Sequence, residues 1–216
     1  MSFISKIDNA IEDDQTFLNL WHHTIGTDGA EYLASILQTN TTIAYLNLEL
    51  NSIGADGAKY IASALTVNNT LTYLILEGND ISDDGTKYIA DALKQNSTIT
   101  ILDLRWNKIG DVGIEYLASA LATNSTITKL NLGSNIFGDV GAKYLADALK
   151  TNTTITELKL LDVKNVSNEL DEYIQKLTRR NKNYKNCIES LKMFVNDSDT
   201  PLELYDILDS WVRLYC

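Results

Sequence analysis

Apolar and polar positions along the chain return in phase every 28 residues. Gly29, Gly57, Gly85, Gly113 and Gly141 keep that spacing, as do Tyr32, Tyr60, Tyr88, Tyr116 and Tyr144, and Asn40, Asn68, Asn96, Asn124 and Asn152. A period of this length marks a solenoid, in which one supersecondary unit stacks on the next. Two hydrophobic periods alternate within a unit. Ala58, Ile61, Ala62 and Leu65 recur at i, i+3, i+4 and i+7, which predicts a helix with one apolar stripe. Leu74 and Leu76 then alternate with Tyr73, Ile75 and Glu77, which predicts a short strand with one buried face. A strand, a turn and a helix repeated in one direction make all strands parallel. Leu18-Asn19-Leu20 reads as the first strand and Leu158-Lys159-Leu160 as the sixth.

The polar residues between these elements have assignable tasks. Asp83, Asp111 and Asp139 sit two residues before the glycine, where an N-cap would accept the first free N–H groups of its helix. The Asn40 series falls just past each helix, where asparagine can take the left-handed turn. The tyrosine series is expected to pack between neighbouring helices with its hydroxyls reaching water. Ion pairs are expected from Glu31 to Lys59 and along Lys87, Glu115 and Lys143.

The run Leu71-x-x-Leu74-x-Leu76-x-x-Asn79, followed by helix residues Gly85 to Leu93, resembles the leucine-rich repeat of the ribonuclease-inhibitor type, over about residues 18–160. The resemblance implies an α/β horseshoe with a concave parallel sheet, convex helices and a C-terminal helical cap. It also implies that Asn51, Asn79, Asn107 and Asn135 form an asparagine ladder that satisfies backbone groups where the chain leaves each strand, with His23 and Val163 breaking it at the ends. The expected division is a helical cap over 1–16, a solenoid of about five repeats and six strands over 17–163, and a helical cap or small subdomain over 164–216.

Solenoid ends need covering. Ile4, Ile7 and Ile11 predict one short helix over the first strand. Leu170, Tyr173, Ile174 and Leu177, and then Ile188, Leu191 and Val195, predict helix near the other end. Thr200-Pro201-Leu202-Glu203 is a capping box that predicts a last helix through Leu204, Ile207, Leu208, Trp211 and Leu214. Phe194 and Trp211 are expected to be buried there, and Arg179, Arg180, Lys182 and Lys185 read as a solvated helix end.

Charge and composition narrow the function. The net charge of −11 argues against nucleic acid and anionic membranes as partners. Residues 1–103 carry 4 Lys/Arg against 14 Asp/Glu, whereas residues 104–216 carry 14 against 15, so the negative field belongs to one end. Two cysteines, Cys187 and Cys216, read as reduced thiols. There is no apolar run of membrane-spanning length and no secretory h-region, so the expected location is the cytoplasm, or a host cytosol after delivery without a visible signal. The Asn-x-Ser/Thr sequons at every helix-to-strand turn read as turn chemistry. The aspartates recur one or two per unit, as caps do, and do not gather as calcium ligands would. His22 and His23 should point to opposite faces, which suits no metal or dyad. No cofactor or catalytic motif is found, and the chain is expected not to be an enzyme.

Positions 28 apart become neighbours on adjacent strands, so the outward strand residues form columns across the concave face. The first is Phe17, Tyr45, Tyr73, Ile101, Lys129 and Glu157, and the second Asn19, Asn47, Ile75, Asp103, Asn131 and Lys159. The third is Trp21, Glu49, Glu77, Arg105, Gly133 and Leu161, and the next His22, Leu50, Gly78, Trp106, Ser134 and Asp162. A solvated sheet face needs no such row of aromatics, and exposed apolar patches ringed by charge mark interfaces. The candidate partner-binding residues are therefore Phe17, Trp21, Tyr45, Glu49, Leu50, Tyr73, Ile75, Glu77, Ile101, Asp103, Arg105 and Trp106. The expected function is that of a monomeric, non-enzymatic module holding a protein with a basic, partly apolar surface. The resemblance extends to repeat effectors that intracellular bacteria deliver into host cells. Alternatives are a GTPase-activating protein like the Ran-specific one, and a scaffold acting through the C-terminal helices.

Overall fold

Twenty-eight residues return the backbone to the same place one layer further on, and each layer covers the leucines of the one before. The computed structural model describes residues 3–11 and 15–194. Strands β1 (Phe17–Asn19), β2 (Tyr45–Asn47), β3 (Tyr73–Ile75), β4 (Ile101–Asp103), β5 (Lys129–Asn131) and β6 (Glu157–Lys159) form one parallel sheet in chain order. Helices α1 (Phe3–Ala10), α2 (Gly26–Leu37), α3 (Gly54–Leu65), α4 (Ser82–Leu93), α5 (Asp111–Leu121), α6 (Asp139–Thr151) and α7 (Asn168–Phe194) alternate with the strands. The register is the expected one, with Phe17 beside Tyr45, Tyr45 beside Tyr73, and so on to Lys129 beside Glu157. The helix stripe Ala58, Ile61, Ala62 and Leu65 and the strand leucines Leu46, Leu48, Leu74 and Leu76 are all buried between the two layers.

Three-residue strands leave many turn N–H and C=O groups without a ladder partner, and each one buried unpaired costs about 1–3 kcal/mol. Two rows of asparagines meet that demand. On the strand side, Asn79 Oδ1 accepts from the N–H groups of Asn51 and Ile53, while its Nδ2 donates to the carbonyls of Leu48, Leu76 and Glu77. Asn51, Asn107 and Asn135 repeat the arrangement, and His23 N–H hangs on Asn51 at the first layer. On the helix side, Asn96 Nδ2 donates to Leu65 O and Asn68 O of the preceding unit, and its Oδ1 accepts from Thr98 and Ile99 N–H. Asn68, Asn124 and Asn152 do the same. This corrects the expected left-handed turn: none of the Asn40 series has a positive φ. Asn152, for example, is extended, at φ −70° and ψ 125°, which turns its side chain into a bridge instead of bending its backbone.

The aspartates also cap, but one unit further on. None of the helices α2 to α6 has a side-chain hydrogen bond from its own N-cap residue. Asp83 Oδ1 accepts from Gly110 N–H at 2.6 Å, Asp111 Oδ1 from Gly138 and Gly141 N–H at 2.8 and 2.7 Å, and Asp139 Oδ1 from Ser167 N–H at 2.7 Å. The in-phase glycine makes this possible. A Cβ on Gly113 would lie 2.5 Å from Asp83 Oδ1, and one on Gly141 2.8 Å from Asp111 Oδ1.

The 28-residue phase runs on into α7. Arg180 stands 28 residues after Asn152, and its Nη2 donates to Leu149 O at 2.8 Å, the carbonyl that a further ladder asparagine would take. Buried Asn181 donates to Asn152 O and Ile155 O, both at 2.9 Å. Arg180 is thus a ladder substitute inside one continuous helix, not part of a solvated helix end. Gln175 Nε2 covers Leu158 O on the outer edge of β6. The capping box at Thr200 to Glu203, the helix expected after it, Trp211 and the side chain of Phe194 lie outside the described residues. At the other end α1 packs on α2 with Ile7 buried, and Tyr32 Oη donates to Asp8 at 2.7 Å.

On the convex side the tyrosines are about one-third exposed. Lys59 and Lys87 do not form the expected pairs; their ammonium groups lie 5.6 and 5.5 Å from the ring centroids of Tyr88 and Tyr116. Exposed contacts of this kind are worth about 0.5–1 kcal/mol.

Two predictions follow from the bridges. Asn107→Ala strands the N–H groups of Asn79 and Ile81 and carbonyls of Leu76 and Arg105. It should cost about 3–5 kcal/mol in a urea titration, more than a single buried hydrogen bond. Hydrogen bonds from the backbone N–H and hydroxyl of Ser167, with Lys143 nearby, hold the Asp139 carboxyl below its usual range. Its contribution is complete above the unfolded carboxylate pKa, about 3.9, and is lost as pH falls through the lower folded value. Acid titrations should show Asp139→Asn with a shallower loss of stability below about pH 4 than wild type.

Candidate interaction face

The first column emerges from the sheet as a continuous row of rings. Phe17 and Tyr45 are stacked, with centroids 4.3 Å apart at 20°, and Tyr45 meets Tyr73 edge-on at 4.6 Å and 62°. Ile101 continues the row, half-buried like Tyr45 and Tyr73, while Phe17 remains 49 % exposed. Their partners in the sheet fix them: Leu18, Leu46, Leu74 and Leu102 point into the core from between them. Burial, together with Tyr73 and the nearby carboxylates, pushes the Tyr45 hydroxyl above its usual pKa.

The second and third columns do less uniform work. Ile75 and Asp103 are buried, so they support the face from beneath and do not present themselves on it. Arg105 joins two units: its Nε and Nη2 hold Asp103 at 2.9–3.1 Å, and Nη2 reaches Glu77 at 2.5 Å. The bond to Asp103 raises the Arg105 pKa, and burial raises that of Glu77 against the pull of Arg105. The expected acidic surround of Glu49, Glu77 and Asp103 is therefore matched in part from within. Among the described residues Glu49 forms no ion pair.

The fourth column has a conformation of its own. His22, Leu50, Gly78, Trp106, Ser134 and Asp162 all have φ between 54° and 66°. The left-handed region costs a bulky residue about 1–2 kcal/mol. Glycine suits it at Gly78, yet neighbouring units place Leu50 and Trp106 there, 45 % and 62 % exposed. Strain accepted for an exposed apolar side chain points to a use for that side chain. Leu50 lies over Gly78, where an added Cβ would come 2.6 Å from its Cδ2. Leu50, Gly78, Trp106, Ser134 and Ile136 line a rim groove of about 540 Å³, bounded by the Asp80–Lys108 ion pair. Ile136 is 63 % exposed and falls outside the four columns, because it lies two residues beyond the last of them, where other units carry Ser52, Asp80 and Lys108.

Toward β6 the face turns polar. Glu157 lies between Lys129 at 3.4 Å and Lys159 at 2.9 Å, and their hydrogen bonds, Lys159 first, hold its carboxyl below the usual range. Trp21 stays at the β1 end, 6.0 Å from the His22 ring, and is not brought into contact with Trp106. His23 Nδ1 lies 2.7 Å from Trp21 O. Among the described residues no cluster of three or more His, Cys, Asp or Glu could hold a metal, and no helix is long and apolar enough to cross a membrane. The sequon amides at Asn68, Asn96, Asn124 and Asn152 are buried and already donate to backbone carbonyls.

Arg105→Met should leave Asp103 and Glu77 without their cation. The guanidinium is more than a third exposed, so solvent moderates the cost to about 1–2 kcal/mol. A urea titration measures it, and the Glu77 carboxyl should titrate higher than in wild type by NMR.

A family model described as "Leucine Rich repeat" matches residues 39–62, 67–90, 95–118 and 123–146. Among curated proteins none matches the chain. Of solved structures, the domain described as leiomodin-1 actin-binding site 2 is 24% identical with a TM-score of 0.68, over 77% of this chain and 95% of that one. The tropomodulin C-terminal domain of Caenorhabditis elegans is 12% identical with a TM-score of 0.63, over 76% of this chain and 96% of that one. At these identities the likeness is one of fold. Four matched leucine-rich repeats thus lie inside a six-strand solenoid of the same period.

Proposed function

We propose that the chain is a non-enzymatic protein-binding module whose partner docks on the concave face against Phe17, Tyr45, Tyr73 and Ile101, with Trp21, Leu50 and Trp106 at its rim. The observation that carries this reading is the stacked row of rings standing on the solvent side of a sheet. Interfaces draw most of their binding energy from aromatic anchors of this kind. Ile75 and Asp103 hold the row from below, and Glu49, Glu77 and Arg105 give it a charged border. A leiomodin-1 domain of the same fold is described by an actin-binding site, which supports a protein as the class of partner. The 28-residue unit and the strand-side asparagine ladder support the ribonuclease-inhibitor type of repeat, and an effector acting on host proteins in their cytosol is one role such a module can fill. Activation of a GTPase through Arg105 is the weaker reading, since Glu77 and Asp103 already hold that guanidinium.

The test is a quantitative pull-down from cell lysate with wild type and a Tyr45→Ala, Tyr73→Ala, Trp106→Ala variant of matched urea midpoint. A partner captured by wild type should be depleted at least about tenfold on the variant, as loss of a central aromatic anchor implies. Equal capture by both would move the site off this face.

A further inference from the structure

The concave face is electrically divided, and the division falls along the row of rings. At the β2 to β4 end, Glu49, Glu77 and Asp103 face the single cation Arg105. At the β5 to β6 end, Lys129 and Lys159 share the single carboxylate of Glu157. Counting these side chains as ionised, the first group is left with two negative charges and the second with one positive charge. Tyr73, Ile101, Arg105, Lys129, Asn131 and Lys159 border a concavity of about 350 Å³ where the apolar row gives way to the lysines. Each ammonium has three donors, so a second carboxylate can be accepted there alongside Glu157.

We infer that this face selects a bipolar amphipathic helix: an apolar stripe lies along the ring row, a basic residue meets Glu49, and an acidic residue enters between Lys129 and Lys159. The inference rests on the concave-face reading above and adds the partner's chemistry and direction to it. Spacing favours a helix over an extended chain. The rings are 4.3 and 4.6 Å apart, close to one helical turn of about 5.4 Å, whereas same-face residues of a strand recur every 6.8 Å or so. Glu49 and the lysine pair are separated by three to four strand spacings, roughly 17 Å. That is about eleven helical residues, or three turns, which returns the base and the acid to one side of the partner helix. Opposite charges at the two ends also oppose reversed docking, because reversal would set like charges together.

The experiment selects binders for the full chain from a display library of peptides about 18 residues long, roughly 27 Å as helix. Affinities are then read by fluorescence anisotropy on wild type, K129E/K159E, K129A/K159A and Y45A/Y73A, each with a wild-type circular dichroism spectrum and urea midpoint. The inference expects selected peptides to carry a base and an acid about eleven residues apart. They should weaken about tenfold or more on both lysine variants. On K129E/K159E, affinity should return when the peptide's acid is changed to lysine. Peptides that fail on Y45A/Y73A but ignore both lysine variants would leave the concave-face reading standing and overturn the bipolar one. An empty selection, or peptides indifferent to all three variants, would overturn the inference and count against the concave-face reading as well.

Discussion

Side-chain amides that reach from one unit to the next are the interaction on which this molecule depends. A strand of three residues cannot satisfy the turns on either side of it by backbone pairing alone. The asparagines at Asn79 and Asn96 show the solution on the two sides of a unit: each is buried, and each spends its amide on backbone groups of its own layer and of the layer before. Asp83, Asp111 and Asp139 add a third set of contacts, in which one unit closes the helix start of the next. Stability is therefore a property of neighbouring layers more than of any one of them, as one-dimensional stacking requires. Arg180 and Asn181 show the same chemistry ending the stack, with a longer side chain reaching the carbonyl that a ladder asparagine would have taken.

Fixed register has a functional consequence. Because every unit is locked to the last at a 28-residue offset, residues chosen one at a time in the sequence become rows on a surface. Phe17, Tyr45 and Tyr73 touch only because their strands are held in step. The same locking imposes a left-handed residue after each strand, and there the chain places Leu50 and Trp106 where Gly78 shows that a relaxed choice exists. Beyond the contact of Leu50 with Gly78, apolar bulk in this strained, exposed position adds little to the stack. It contributes shape and contact area to the rim.

Much of this was legible in the sequence, because a repeat converts spacing into neighbourhood. The strand order, the register and the columns come directly from the period, and the strand-side ladder from Asn51, Asn79, Asn107 and Asn135. Directions of side-chain bonding were harder to read. An aspartate before a helix looks like that helix's own cap, and only the three-dimensional stacking shows Asp111 reaching Gly138 and Gly141. An asparagine after a helix looks like a left-handed turn, yet Asn152 is extended and bridges with its side chain. The pairing within the charge border was hard to read for a similar reason: Arg105, 28 residues after Glu77 and two after Asp103, holds both. Arg180 was in phase and could have been found by extending the period one unit further.

The aromatic row and the convex tyrosines offer an internal comparison, since both are tyrosines of one chain at one spacing on opposite faces. Hydroxyl-radical footprinting of the free chain and of its complex with a captured partner reads both sets at once. The account predicts protection of Tyr45, Tyr73 and Trp106 with Tyr88, Tyr116 and Tyr144 unchanged. Protection of the convex tyrosines with the concave row still reactive would contradict it.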